Sequence, residues 1–152
     1  MIQNQASFDY NDLFVIFGEN NLVNISNSIS TSDVVIDSRK VKEGSIFVAL
    51  KGEKLDAHDK IEDAFNSAAA ICLVSEEWYF KSKDKFQNSS FIIAKDNLAA
   101  LGKLANYHRN RFSYPLIAVG GSNGKTSTKE MIACVLSEKF NVLKTHENLV
   151  NQ

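Results

Sequence analysis

Leu116-Ile-Ala-Val-Gly-Gly-Ser-Asn-Gly-Lys-Thr-Ser-Thr128 opens with four apolar residues set off by Pro115, the only proline in the chain. Three of the seven glycines, Gly120, Gly121 and Gly124, then fall within five positions. From Lys125 onward the pattern turns helical, with Ile132, Val135 and Leu136 at i, i+3 and i+4. A buried strand, a glycine loop, Lys-Thr and a helix make the layout of a phosphate-binding loop. Backbone N–H groups of such a loop and of the helix N-terminus face phosphate oxygens, where the helix dipole also favours negative charge. A lysine in a first helical turn opposes that dipole unless an anion sits beside it. Lys125 therefore reads as a ligand of the β- and γ-phosphates of ATP, and the Thr126 hydroxyl as a ligand of Mg²⁺. The general signature, G-x-x-x-x-G-K-[ST], has a further glycine five positions before Gly124, where Val119 stands.

The 152 residues suffice for one ordinary domain or two small ones, and 44% hydrophobic with 23% charged residues is a globular balance. A net charge of −1 gives no general affinity for nucleic acid or an anionic membrane, so phosphate binding must come from local geometry. No apolar run reaches membrane-spanning length and no basic-then-apolar leader opens the chain, which predicts a cytoplasmic protein with no membrane insertion. Cys72 and Cys134 have no CxxC partner and read as buried, inert thiols. His58, His108 and His146 are too dispersed to suggest a metal cluster.

Upstream of the loop, apolar runs and turn signals alternate. A helix is predicted over 9–17, strands at 33–36, 45–50, 71–74 and 91–94, and helices at about 59–69 and 97–111. The polar stretch 76–90 carries Trp78, Tyr79, Phe80 and Phe86, read as an aromatic cluster under a loop or short helix. After the loop come its helix, to about 139, and a last strand at 140–144. The expected fold class is α/β: a small N-terminal α/β substrate domain (1–96), a connecting helix (97–114), and the start of a P-loop parallel-sheet ATPase domain (115–152). A parallel sheet needs several strands with helices on both faces, so the pattern at 115–152 reads as truncated.

Two stretches together resemble the Mur ligases, the ATP-dependent amide-forming enzymes of peptidoglycan precursor synthesis. Gly120-Gly-Ser-Asn-Gly-Lys-Thr-Ser-Thr128 is similar to that family's G-x-N-G-K-T-[TS] loop, which lacks the leading glycine and so accounts for Val119. Asp37-Ser-Arg39, Gly44-x-Ile-Phe-Val-Ala-Leu50-x-Gly52 and Asp56-Ala-His58 resemble its N-terminal domain, which binds a UDP-sugar substrate. Lys129-Glu130-Met131 and the tail Lys144-Thr145…Asn148-Leu149-x-Asn151 look most like the branch that adds D-alanyl-D-alanine; the branch that adds the third peptide residue is the near alternative. Asp56-Ala57-His58 stands where the family has Asp-Gly-His, and Glu147 where a glycine precedes the first tail asparagine.

The resemblance implies transfer of the ATP γ-phosphoryl group to the terminal carboxylate of UDP-MurNAc-tripeptide, then attack on the acyl phosphate by the amine of D-Ala-D-Ala. It assigns phosphate contacts to Gly121, Ser122, Asn123, Gly124, Lys125, Thr126 and Ser127, and Mg²⁺ to Thr126. Ser38, Arg39, Gly52 and His58 would hold the UDP part, with Asn148 on the substrate side. It further implies a monomer serving cell-wall synthesis, and hence cell shape and division. Residues 1–152 alone are expected to be inactive, because further Mg²⁺ ligands, a carbamylated lysine and the adenine contacts belong to later parts of such enzymes. Without the family, Asp37-Ser-Arg39 reads as a capped turn at a strand end, and His58 as a local hydrogen-bond partner. Two other functional classes fit the residues: a non-catalytic UDP-sugar or nucleotide-binding module, and an unrelated P-loop kinase or NTPase. The latter would require a later strand ending in an aspartate.

Overall fold

The structure, a computed structural model, describes residues 6–53 and 55–145. It divides into two units, residues 1–112 and 113–152. The first unit holds helix α1 (Tyr10–Phe17), strands β1 (Leu22–Val23), β2 (Asp33–Val35) and β3 (Ser45–Val48), helix α2 (Ile61–Asn66), strand β4 (Ile71–Ser75), helix α3 (Glu76–Ser82), strand β5 (Phe91–Ala94) and helix α4 (Asn97–Asn110). The strands form one sheet in the order β1-β5-β4-β3-β2. β2, β3, β4 and β5 run parallel, and the short β1 closes the other edge antiparallel to β5.

Side-chain alternation sorts the core into two layers. Ile46 and Val48, Ile71 and Leu73, and Ile92 project to one face, where they meet Phe8 and Leu13 from the N-terminal segment and Ala100 and Leu104 from α4. Phe47, Cys72, Val74 and Phe91 project to the other face, against Ile61 and Ala64 of α2. Both faces being covered explains why the strands read as continuous apolar runs rather than alternating ones. Trp78, Tyr79, Phe65 and Phe86 pack around Phe91 on that second face, with ring centroids 5.5–6.1 Å from it. The aromatics of 76–90 thus cover the sheet from α3 and the 3-10 turn at Lys83–Phe86.

Helix α4 belongs to the first unit. Its side chain-capped start, with Asp96 accepting from the N–H groups of Leu98 and Ala99, sits at the end of β5, and its buried Ala100 and Leu104 complete the first core layer. At its far end Arg111 pairs with Asp12, donates to the Ser7 carbonyl (2.7 Å), and lies over the rings of Phe8 and Tyr107. Asp12 also accepts from the Asp9 N–H and the Tyr107 hydroxyl. Partial burial raises its pKa, but these donors and Arg111 together hold it below the ordinary value.

Among its described residues the second unit contains one regular element, helix α5 (Lys125–Ser137). The strands expected at 116–119 and 140–144 do not form, because a strand needs a ladder partner and none of the described residues supplies one there. Leu116 and Ile117 are accordingly 73% and 56% exposed. Of the two cysteines, Cys72 is buried in β4, which pushes its thiol pKa up. Cys134 is exposed on α5, whose buried position is the neighbouring Ala133, so the expectation of a buried thiol fails there. Among the described residues no helix is long and apolar enough to cross a membrane.

Candidate functional site

In the first unit the candidate residues gather at the carboxyl ends of the parallel strands, the edge at which open α/β sheets bind ligands. β2 leads through Ile36 into Asp37 and a 3-10 turn at Ser38–Lys40. The Asp37 carboxylate accepts from the Arg39 N–H (3.1 Å), its Nε (2.9 Å) and its Nη2 (2.8 Å). The guanidinium hydrogen bond, with the backbone bond behind it, brings the Asp37 pKa down to about 2, and Asp37 in turn raises that of Arg39. Arg39 stays 87% exposed, so a cation is held in a fixed place facing solvent. Ser38, half-buried, stands beside it at the start of the turn.

β3 leads into a tight excursion. Gly52 N–H donates to the Leu55 carbonyl (2.9 Å), Lys51 bridges to Asp56, and Ala57 N–H returns to the Leu50 carbonyl (3.0 Å). Asp56 then caps a second 3-10 turn, Ala57–Lys60, by accepting from the His58 N–H (3.0 Å). The His58 ring is 6% exposed and both its nitrogens are engaged. Nε2 accepts from the Ser75 N–H at the end of β4 (3.0 Å), which leaves the ring proton on Nδ1, donated to Asp56 (2.6 Å). Trp78 stacks on the imidazole at 5.5 Å. Burial raises the Asp56 pKa, but the His58 backbone and ring hydrogen bonds outweigh it and hold the group low.

Asn97, at the start of α4, completes the arrangement. Its Nδ2 donates to the Ala49 carbonyl (2.6 Å) and lies 3.4 Å from His58 Nε2. Asp56, Ser75, Trp78 and Asn97 are not among the functional residues that the sequence singles out. Asp56-x-His58 carried a readable sign, since an aspartate two residues before a turn commonly caps it. Asn97 carried none, because its partner lies 48 residues away.

In the second unit, Gly121 (φ +142°) and Gly124 (φ +76°) adopt backbone conformations that side chains disfavour, and Gly124 delivers the chain into α5 without a side-chain cap. Lys125 folds back over the loop, donating to the carbonyls of Gly121 (2.7 Å) and Ser122 (3.4 Å). Ser122, Asn123, Thr126 and Ser127 are exposed around it. One turn along, Lys129 donates to the Thr145 carbonyl (2.5 Å) and Glu130 pairs with Lys144, so the segment after α5 returns to the loop-proximal half of that helix. Asn148 lies outside the described residues. A groove of about 590 Å³ runs along α5 past Met131, Cys134 and Val142, on the helix flank rather than at the loop.

Comparison with known proteins matches both regions. The family profile described as "Mur ligase family, catalytic domain" covers residues 31–109, and the "Mur ligase middle domain" profile covers 119–152. A UDP-N-acetylmuramoyl-tripeptide–D-alanyl-D-alanine ligase from Rickettsia prowazekii is 37% identical over 129 residues, 85% of this chain and 27% of that protein. A crystal structure of MurF from Acinetobacter baumannii superposes with a TM-score of 0.78 at 27% identity, covering 94% of this chain and 30% of that one. The MurF ligase of Thermotoga maritima in complex with ADP gives a TM-score of 0.63 at 31% identity, covering 77% and 26%. The chain thus spans about a quarter of the length of the curated relative. With the first profile over more than half of its residues and the second beginning at the residue before the glycine loop, the chain belongs to the Mur ligase family.

Proposed function

We propose that this chain is part of an ATP-dependent ligase that joins D-alanyl-D-alanine to UDP-MurNAc-tripeptide. The observation that carries the nucleotide half is the glycine loop. Gly124 in the left-handed region turns directly into α5, and the Lys125 ammonium rests on the Gly121 and Ser122 carbonyls, where an incoming phosphate would draw it away. A similar chain that holds ADP supports the same reading. ATP supplies a γ-phosphoryl group to the tripeptide carboxylate, converting a poor acyl donor into one that the D-Ala-D-Ala amine can attack.

This chain's residues do the holding. Backbone N–H groups of Gly121, Ser122, Asn123 and Gly124 would face the phosphates at the positive end of α5. Lys125 neutralises charge that builds as two polyanions meet. The exposed Thr126 hydroxyl on the first turn would hold Mg²⁺, and Ser127 would add a donor. At the sheet edge of the first unit, Ser38, Arg39 and the Gly52 turn would bind the UDP part, with Arg39 already held by Asp37. The product would serve peptidoglycan synthesis in the cytoplasm, and through it cell shape and division.

Calorimetry tests both halves. MgADP and UDP-MurNAc-tripeptide should each bind the 152-residue chain, and Lys125→Ala should weaken MgADP by on the order of 10-fold or more, the loss of a charge-assisted contact of about 1.5–3 kcal/mol. An MgADP affinity unchanged in Lys125→Ala would remove the loop from the site.

A further inference from the structure

Three parallel strands end at the sheet edge, two of them with a backbone group taken up by a side chain rather than by a neighbouring strand. The Ala49 carbonyl lies past the end of β3, the Ser75 N–H closes β4, and Asn97 follows β5. Two buried side chains gather all three ends: His58 takes the Ser75 N–H, and Asn97 takes the Ala49 carbonyl, with His58 Nε2 and Asn97 Nδ2 3.4 Å apart. His58 is fixed on its other side by Asp56, which closes the 51–56 excursion through the Lys51–Asp56 bridge.

We infer that His58 and Asn97 are positioning residues that clamp the Gly52 turn over the carboxyl edge of the sheet, rather than ligands of the nucleotide sugar. Neither ring nitrogen of His58 is open to a ligand, and Trp78 stacks on the ring. Asn97 is 8% exposed and its Oδ1 is sealed from solvent with no hydrogen-bond partner among the described residues. An unmade bond at a buried acceptor is a cost. A side chain that merely filled this space would carry no such cost, whereas one needed for its Nδ2 would. The turn so held, with Gly52 N–H on the Leu55 carbonyl and Lys51 exposed beside it, carries no buried apolar anchor among its described residues, 51–53 and 55–56; Leu55 is 83% exposed. Its placement therefore depends on the polar clamp at its base.

This inference rests on the reading of the first unit as the UDP-sugar site, and the test separates the two. Affinity for UDP-MurNAc-tripeptide is measured by calorimetry, and amide hydrogen exchange is followed in the absence of ligand, on the 152-residue chain and on His58→Ala, His58→Gln and Asn97→Ala. The clamp predicts faster exchange at residues 50–52 and at Ser75 in His58→Ala, with the β2–β3 ladder unchanged. It also predicts affinity lowered fivefold to tenfold, about the worth of one hydrogen bond. His58→Gln, which keeps a donor and an acceptor, should recover part of both, and Asn97→Ala should loosen the same turn even if His58→Ala fails to fold. Affinity lost with exchange at 50–52 unchanged would make His58 a direct ligand and overturn the clamp. Unchanged affinity in a chain whose turn has loosened would overturn it as well. Absence of binding by the unaltered chain would sink the UDP-sugar reading, while the exchange pattern would still decide whether His58 and Asn97 hold the turn.

Discussion

Asp37 receives three hydrogen bonds from one residue, Arg39, and the pair stands at the sheet edge with its cation facing solvent. The consequence is measurable as a titration. With its folded pKa at about 2 against an ordinary 3.8, Asp37 contributes stability that is fully present above pH 3.8 and is lost as the pH falls through about 2. NMR of the Asp37 carboxyl carbon should show a midpoint near 2, and Arg39→Ala should move it up toward 3.8. A midpoint that stays low in Arg39→Ala would assign the shift to something other than the guanidinium. The same pairing bears on ligand binding, because a phosphate arriving at Arg39 must compete with a carboxylate already in place. His58 makes the opposite case at this scale: a residue of a ligand-like type whose ring nitrogens both serve the chain itself.

At the scale of elements, α4 shows what burial decides. Leu98 and Leu104 lie on the same helix, but Leu104 is 1% exposed within the core layer and Leu98 is 62% exposed at the helix start. Leu104→Ala should destabilise the first unit by roughly 2–5 kcal/mol, and Leu98→Ala by no more than about 0.5 kcal/mol. Urea unfolding followed by the fluorescence of Trp78, the only tryptophan, reads both. Equal losses would mean that α4 is not packed as described. The sequence made this helix legible, as it did β2 to β5, because apolar spacing and capping side chains are local signals. Its place in the first core was less legible: a helix between two domains and a helix on a sheet face share one periodicity, and only the contact of Leu104 with the core distinguishes them. The strands expected at 116–119 and 140–144 failed for a related reason, since an apolar run states a preference but not a partner. The glycine loop was legible because Gly121 and Gly124 meet a backbone need set within a few residues. The clamp was not, because the Asn97–Ala49 contact joins residues far apart in sequence.

At the scale of the whole molecule, the proposed function would give the two units two different recognition tasks, and their described residues build different amounts of structure. Residues 1–112 have a sheet covered on both faces and a gathered carboxyl edge. The described residues of the second unit, 113–145, offer one helix and its loop, with Leu116, Met131, Val135 and Leu143 all more than half exposed. Binding should therefore dissociate cleanly: Lys125→Ala should lose MgADP while keeping the affinity for UDP-MurNAc-tripeptide, and Arg39→Ala should do the reverse. Arg39 and Lys125 each have their hydrogen-bond partners within their own unit, so with no shared partner the cross-effects should stay within about twofold. Loss of both ligands in either variant would show that one site depends on the other, and would put the nucleotide and the sugar in a single binding unit. Chemistry is a stricter demand than binding. The chain spans 27% of the length of its Rickettsia relative, so D-Ala-D-Ala-dependent phosphate release is not expected from residues 1–152 alone. A release assay with tripeptide, D-Ala-D-Ala and MgATP checks this, and turnover would place every residue needed for phosphoryl transfer within this chain.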